Sequence, residues 1–205
     1  QLTNKISQYH RAVANGLWSQ SKHFCLLDYP VTELAGKNFV VIGYGALGQA
    51  SAQLAQAFGM QIIVAEQPGA VSCRSGRVPF LTALAQADVI SLHCPLNAHT
   101  EKLFNQPVLA AIKPGALLIN TARGGLIDEA ALLNALQNGQ LGGAALDVLS
   151  EEPPSADHIL LRAALPNLII TPHMAWASAE ARQRMVAQLK QNIDAFISGK
   201  VLNRV

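Results

Sequence analysis

The segment that most constrains the fold is Gly43-x-Gly45-x-x-Gly48, which lies between a short apolar run and an alanine-rich stretch. Residues 38–43 are rich in β-branched side chains and predict a strand, whereas 46–59 has helical spacing and ends at a glycine. Glycines at these positions allow a tight turn, close approach of the backbone to a pyrophosphate and close packing of the helix on the strand. The segment therefore predicts a dinucleotide-binding turn, although a simple strand–helix turn would use the same residue types.

Two further features indicate which dinucleotide binds. The first residues of the predicted helix, Ala46 and Leu47, would direct backbone N–H groups at the phosphates, because a helix N-terminus attracts anions. Glu66 ends the second predicted strand, where a carboxylate can accept hydrogen bonds from the adenosine ribose and repel a 2′-phosphate. We therefore predict NAD as the cofactor. Arg74 and Arg77 in the next loop could weaken the preference over NADP, and Glu66 could instead be a solvated strand end.

Apolar runs alternate with helical segments along most of the chain. The predicted strands are residues 38–43, 61–66, 88–93, 116–121, 143–148 and 167–172, and the predicted helices between them are 46–59, 80–87, 105–115 and 128–138. Strands that are apolar throughout and alternate with helices indicate a parallel sheet covered on both faces. We predict an α/β fold, a doubly wound parallel sheet of the Rossmann type over residues 36–173, with further helices at 2–17 and 178–198.

Composition argues against several classes of partner. Half of the 205 residues are hydrophobic, 14% are charged and the net charge is +2, which favours a compact fold without a nucleic-acid surface. No apolar run is long enough to cross a membrane, and we predict no metal site. Cys25, Cys73 and Cys94 form no CxxC pair, so we predict a reducing, cytoplasmic location.

Three polar residues follow the fourth, fifth and sixth predicted strands, at the edge where open α/β sheets bind ligands: Arg123, Glu152 and His173. Their chemical types fit the reduction of a 2-oxo acid by NADH. An arginine can hold the substrate carboxylate, a histidine can donate a proton near neutral pH, and a carboxylate can stabilise the imidazolium. Taken singly, Arg123 could form a surface ion pair, the acid could be Glu151, and His173 could be an ordinary loop histidine.

Long motifs in a fixed order carry a resemblance to a known family. They are "GYGALG", "ADVISLHCPL", "KPGALLINTARGGLIDEAAL", "GGAALDVLSEEPP" and "LPNLIITPHMAWAS". With these motifs the chain resembles the D-isomer-specific 2-hydroxyacid dehydrogenases, most closely their hydroxypyruvate reductase or glycerate dehydrogenase branch. The resemblance implies the Arg123, Glu152 and His173 set, and it selects Glu152 because the catalytic acid of the family directly precedes a proline.

The resemblance also implies further cofactor contacts. Asp147 should hold the nicotinamide carboxamide, and the backbone at Cys94-Pro95 and Thr121-Ala122 should line the nicotinamide pocket beside His173. Where the family usually has Pro-Leu-Thr, this chain has Asn97 in place of the threonine, so a side-chain contact there is not carried over.

The same resemblance implies a domain organisation. Family members carry an N-terminal segment that forms most of a substrate-binding domain, and this segment is expected to be missing from the chain. We therefore predict an NAD-binding domain over residues 1–174, with a connecting helix in 1–20 that contacts a partner subunit in a homodimer. Residues 175–205 would be a helix that returns to the substrate domain. We expect the chain alone to be weakly active or inactive, because domain closure excludes water and positions the substrate.

Two functions follow from the resemblance. The first is an NAD-dependent oxidoreductase that interconverts hydroxypyruvate or glyoxylate with D-glycerate or glycolate. The alternative is an NAD(H)-sensing scaffold of the corepressor type, because some relatives use the fold in that way and retain the same three polar residues.

Overall fold

The computed structural model describes residues 1–203, and its backbone falls into two units that divide between Thr171 and Pro172. The first unit contains the strands β1 (Asn38–Ile42), β2 (Gln61–Val64), β3 (Val89–Leu92), β4 (Ala116–Asn120), β5 (Leu141–Leu146) and β6 (Leu168–Ile170). Its helices are α1 (Ile6–Ala14), α2 (Ala46–Ala57), α3 (Phe80–Gln86), α4 (Gln106–Ala110), α5 (Glu129–Gln137) and α6 (Ile159–Arg162), with a 3-10 turn, η1, at Gly124–Leu126. The second unit contains α7 (Ala179–Ile197).

The strands form one parallel sheet in the order β2-β1-β3-β4-β5-β6. After β2 the chain crosses to the other side of β1 and then adds strands in that direction, which makes the gap between β1 and β3 the point where the strand order reverses. Ligands of doubly wound sheets bind outside the carboxyl ends of the strands at such a point. The prediction of a doubly wound parallel sheet is confirmed.

Both faces of the sheet carry buried apolar side chains, which explains why the strands are apolar throughout. A larger cluster includes Leu84 of α3, Leu109 of α4 and Leu132 of α5, each fully or almost fully buried. A smaller cluster on the other face joins α2 to the sheet through residues such as Ala52 and Val41. These two layers fix the direction of each strand and hence the position of the loops at its carboxyl end.

The predicted helix over residues 2–17 is too long, because α1 covers only Ile6–Ala14. Lys5 adopts φ 52° and Gly16 adopts φ 77°, so the backbone leaves the helical region at both ends. The apolar spacing continues beyond the helix, and Ile6, Val13 and Leu17 remain about half exposed on the surface of the first unit.

Candidate functional site

A cleft of about 500 Å³ opens at the carboxyl edge of the sheet between β1 and β3. Its walls come from the turn after β1, the segment after β2 and the segment after β3. Of the residues predicted to bind the cofactor, the cleft is lined by Gly43, Gly45, Glu66, Cys94 and Pro95. The topology therefore brings three separated parts of the sequence to one ligand-sized space.

The three glycines of the turn differ in the space that the structure leaves for a side chain. A Cβ on Gly43 would lie 2.7 Å from the backbone nitrogen of Cys94, and one on Gly48 would lie 2.1 Å from the carbonyl oxygen of Gly43. Among residues 1–203, no atom lies within 4 Å of the corresponding position on Gly45. The packing of the protein thus requires Gly43 and Gly48, whereas Gly45 leaves an open approach to the backbone from the cleft.

The N-terminus of α2 fits a pyrophosphate. Gly45 is the N-cap and supplies no side chain to bond the first-turn N–H groups, and Ala46 and Leu47 in that turn are exposed. Such N–H groups, together with the helix dipole, favour a phosphate. The residues present therefore fit the dinucleotide that the glycine motif predicts.

Replacing Gly45 with valine should weaken NADH binding by at least about tenfold, because the branched side chain would fill the space that the pyrophosphate needs. Gly45→Ala should give a smaller loss. Gly45→Ala should keep the free energy of unfolding within about 1 kcal/mol of the parent, because its Cβ would have no atom of residues 1–203 within 4 Å. Fluorescence titration with NADH checks the first result and urea unfolding the second; an unchanged affinity in both variants would contradict this placement of the phosphates.

Glu66 is buried, with 4% of its surface exposed, so it is not a solvated strand end. Its carboxylate accepts backbone N–H bonds from Gln67 at 2.7 Å and from Arg74 at 3.0 Å, and it forms an ion pair with the Arg74 guanidinium. The Arg74 side-chain hydrogen bond, followed by the two backbone bonds, holds the pKa of the Glu66 carboxyl well below its usual range. The carboxylate therefore stays ionised in the wall of the cleft.

The segment after β3 is held by its own side chains. Thr100 Oγ1 donates to the Pro95 carbonyl at 2.7 Å, and Asn97 Oδ1 accepts the His99 N–H at 2.9 Å. Burial raises the pKa of the Cys94 thiol, so this side chain stays neutral at the cleft wall. Asn97, which stands where the family usually has threonine, thus caps its own turn.

The turn after β4, which carries Arg123, is held by the buried Asn120 side chain. Asn120 is fully buried; its Nδ2 donates to the Arg123 carbonyl at 2.8 Å and its Oδ1 accepts the Ala122 N–H at 3.0 Å. Arg123 itself is exposed, and its Nη1 donates to the Ala122 carbonyl at 2.6 Å. No carboxylate of the described residues forms an ion pair with Arg123, so the alternative of a surface ion pair finds no support. Thr121 is exposed and borders a second cavity on the α2 side of the sheet.

Two of the acids that follow β5, Asp147 and Glu152, lie in different environments. Asp147 is buried, its N–H donates to the Asn120 carbonyl at 2.9 Å, and its Oδ1 accepts from Thr171 Oγ1 at 2.5 Å. Glu152 is exposed, and its Oε1 accepts the Leu149 N–H at 2.8 Å. The first acid is built into the sheet edge, and the second is presented by a loop.

The loop that carries Glu152 is tied down by a cluster that the sequence did not predict. Glu129 of α5 accepts from Ser150 N–H at 2.8 Å, from Ser150 Oγ at 2.6 Å, and pairs with His158 Nε2 at 3.1 Å. The side chains of Glu129 and His158 are both largely buried. The sequence signal for this cluster is weak: Glu129 lies in the first turn of α5, where an acid also stabilises the helix N-terminus without any further contact.

Arg123 and Glu152 belong to loops that touch. A Cβ on Gly124 would lie 1.9 Å from the carbonyl carbon of Leu149, so the turn after β4 and the loop after β5 are in direct backbone contact. Two of the three predicted catalytic residues are therefore presented by adjoining loops of the first unit.

His173 lies in the second unit, two residues after Thr171. Its backbone has φ 50°, a left-handed conformation that is uncommon for a residue other than glycine, and its carbonyl accepts from Trp176 Nε1 at 2.9 Å. Strained residues of this kind concentrate at functional sites.

The comparisons with known proteins identify the family and the fold. The model of the D-isomer specific 2-hydroxyacid dehydrogenase NAD-binding domain matches residues 1–175. The chain belongs to this family. Its sequence is 48% identical to that of the glycerate dehydrogenase of Methylorubrum extorquens over 100% of the chain. It is 38% identical to that of the hydroxypyruvate reductase of Blautia hydrogenotrophica, also over 100% of the chain.

The chain superposes on a solved structure of D-lactate dehydrogenase with NAD+ from Lactobacillus jensenii with a TM-score of 0.83 and 29% sequence identity. The superposition covers 100% of this chain and 64% of the Lactobacillus protein. The chain likewise spans 64% of the length of the two relatives named above. NAD is accordingly the cofactor of this domain. Within residues 1–203 no helix has the length and apolar character needed to span a membrane, and no group of three potential metal ligands occurs.

Proposed function

We propose that the full-length protein is an NAD-dependent D-2-hydroxyacid dehydrogenase acting on a small 2-oxo acid, hydroxypyruvate or glyoxylate, and forming D-glycerate or glycolate. The observation that carries the proposal is the exposed Arg123 guanidinium, which has no carboxylate partner among the described residues. The buried Asn120 side chain holds the Arg123 backbone, and the loop of Glu152 contacts the same turn. A fixed guanidinium is suited to a bidentate bond with a substrate carboxylate. The names of the relatives support the enzyme over the NAD(H)-sensing scaffold.

The three polar residues have complementary tasks in this proposal. Arg123 binds the carboxylate of the acid and polarises the neighbouring carbonyl. His173 donates a proton to the carbonyl oxygen, and Glu152 orients the imidazole and stabilises its charged form. Bound NADH supplies the hydride.

The remaining predicted contacts concern the cofactor. The glycine turn with Ala46 and Leu47 binds the pyrophosphate, and Glu66 lies at the adenosine ribose. Asp147, fixed by Thr171, holds the nicotinamide carboxamide, and the backbone at Cys94-Pro95 and Thr121-Ala122 lines the nicotinamide pocket.

The protein is a cytoplasmic homodimer in this proposal. The half-exposed apolar side chains of Ile6, Val13 and Leu17 on and after α1 support a subunit contact, because large apolar patches are seldom left bare. All three cysteines are free thiols, which suits a reducing compartment. The NAD-binding domain covers residues 1–174, and residues 175–205 return to a substrate domain, without which turnover is weak or absent.

Steady-state oxidation of NADH by the full-length protein tests the proposal, with hydroxypyruvate, glyoxylate and pyruvate as parallel substrates. We expect rapid turnover of hydroxypyruvate or glyoxylate. No turnover of any of the three acids, with NADH still bound, would reject the proposed reaction.

Arg123→Gln should lower kcat/KM for the preferred acid by about 10²–10³-fold, because the charged, two-pronged contact is lost. The effect should appear both as a raised KM, from the lost carboxylate contact, and as a lowered kcat, from the lost polarisation of the carbonyl, whereas NADH affinity should stay within about twofold. Arg162→Gln is the matched control, since the Arg162 side chain pairs with Asp157 on the exposed surface. Equal loss of NADH binding and acid binding in Arg123→Gln would contradict the assigned role.

A further inference from the structure

The hydrogen-bonding capacity of Glu66 is already used within the protein. Its two carboxylate oxygens accept the backbone N–H groups of Gln67 and Arg74, the Arg74 Nε at 2.9 Å and one Arg74 terminal nitrogen. A carboxylate offers about four lone-pair sites. Little accepting capacity is therefore left for the hydroxyls of an adenosine ribose.

The charge at this point is positive rather than negative. Glu66 contributes one negative charge, whereas Arg74 and Arg77 contribute two positive charges, with the Arg77 Nη1 3.8 Å from Glu66 Oε1. The Arg74 side chain is 54% exposed, and its Nη1 has no partner among the described residues. The guanidinium thus keeps donors that face away from Glu66.

Both arginines line the same cleft as the glycine turn. We propose that Arg74 and Arg77 form a subsite for a phosphate monoester on the adenosine ribose, so that the domain binds NADP(H) as well as NAD(H). The proposal rests on the placement of the ribose beside Glu66 in the proposed function. Arg74 has two effects here: it neutralises the carboxylate that would repel the 2′-phosphate, and it supplies donors to that phosphate.

Fluorescence titration of the 205-residue chain with NADH and with NADPH tests the subsite without any need for turnover. We expect the two dissociation constants to lie within about fivefold of each other. Arg74→Ala should lower the ratio of NADPH affinity to NADH affinity by at least about tenfold, because only NADPH carries the 2′-phosphate and the Glu66 carboxylate released by the change repels that group. Arg77→Ala should shift the ratio in the same direction by a smaller factor, and it provides an independent variant if Arg74→Ala lowers the melting temperature.

Arg162→Ala is the matched control, because it removes an exposed arginine outside the cleft. Binding of NADPH more than about fiftyfold weaker than NADH in the parent chain would overturn the subsite. An unchanged ratio in both Arg74→Ala and Arg77→Ala would do the same. Failure of NADH itself to bind would instead reject the placement of the dinucleotide, and the subsite with it.

Discussion

Replacement of His173 by alanine in the full-length protein should lower kcat by about 10²–10⁴-fold, the usual contribution of a positioned general acid. NADH affinity should stay within about twofold, since the backbone carbonyl that accepts the Trp176 Nε1 bond is kept in the variant. Single-turnover oxidation of NADH measures the chemical step, and fluorescence titration measures the binding. Loss of turnover alone would identify His173 as the proton donor.

The control for this experiment is His23→Ala, which removes an exposed histidine of the segment between α1 and β1. It should leave the single-turnover rate unchanged. A parallel loss of turnover and NADH binding in His173→Ala would contradict the assigned role, because it would point to damage of the cofactor site.

The second large effect concerns stability. Gly124→Ala should reduce the free energy of unfolding by at least about 3 kcal/mol, because overpacking against backbone atoms cannot be relieved by a side-chain rotation. A Cβ there would lie 1.9 Å from the carbonyl carbon of Leu149 and 2.5 Å from the backbone nitrogen of Ser150. Relief would force apart the loops of Arg123 and Glu152. Urea unfolding of the 205-residue chain measures the change.

The neighbouring glycine gives a matched control. The atoms nearest to a Cβ on Gly125 belong to the end of the Leu96 side chain, with Cδ2 at 2.9 Å, and Leu96 is exposed enough to move. Gly125→Ala should therefore cost less than about 1 kcal/mol. Similar costs for the two variants would show that the contact between the loops is looser than the structure indicates.

The sheet could be predicted because its signal is local. Each buried parallel strand is a short apolar run, and a glycine or a capping residue marks most helix boundaries. Asp128, where the predicted helix 128–138 begins, accepts the N–H groups of Ala130 and Ala131, and Gly59 follows α2 with φ 77°. The ends of α1 could not be predicted, because apolar spacing carries no information about the φ of Lys5.

The residue types of the candidate site could be predicted from the sequence, but the hydrogen bonds and ion pairs that hold its loops could not. Arg123 and Glu152 stand out because charged residues follow apolar strands. The contacts that fix them are distant in sequence: Glu129 reaches Ser150 across 21 residues and His158 across 29. Sequence spacing places Arg74 near Glu66 but cannot show that the Arg74 guanidinium forms an ion pair with the Glu66 carboxylate.

The most direct test of the proposed function is the configuration and yield of the glycerate that the full-length protein forms from hydroxypyruvate and NADH, measured by chiral chromatography. We expect D-glycerate in equal amount to the NADH oxidised, and almost none from His173→Ala. Formation of L-glycerate would contradict the assignment to the D-specific family reaction. No glycerate from hydroxypyruvate and no glycolate from glyoxylate, in a protein that still binds NADH, would contradict the assignment of Arg123, Glu152 and His173 to the reduction of a 2-oxo acid.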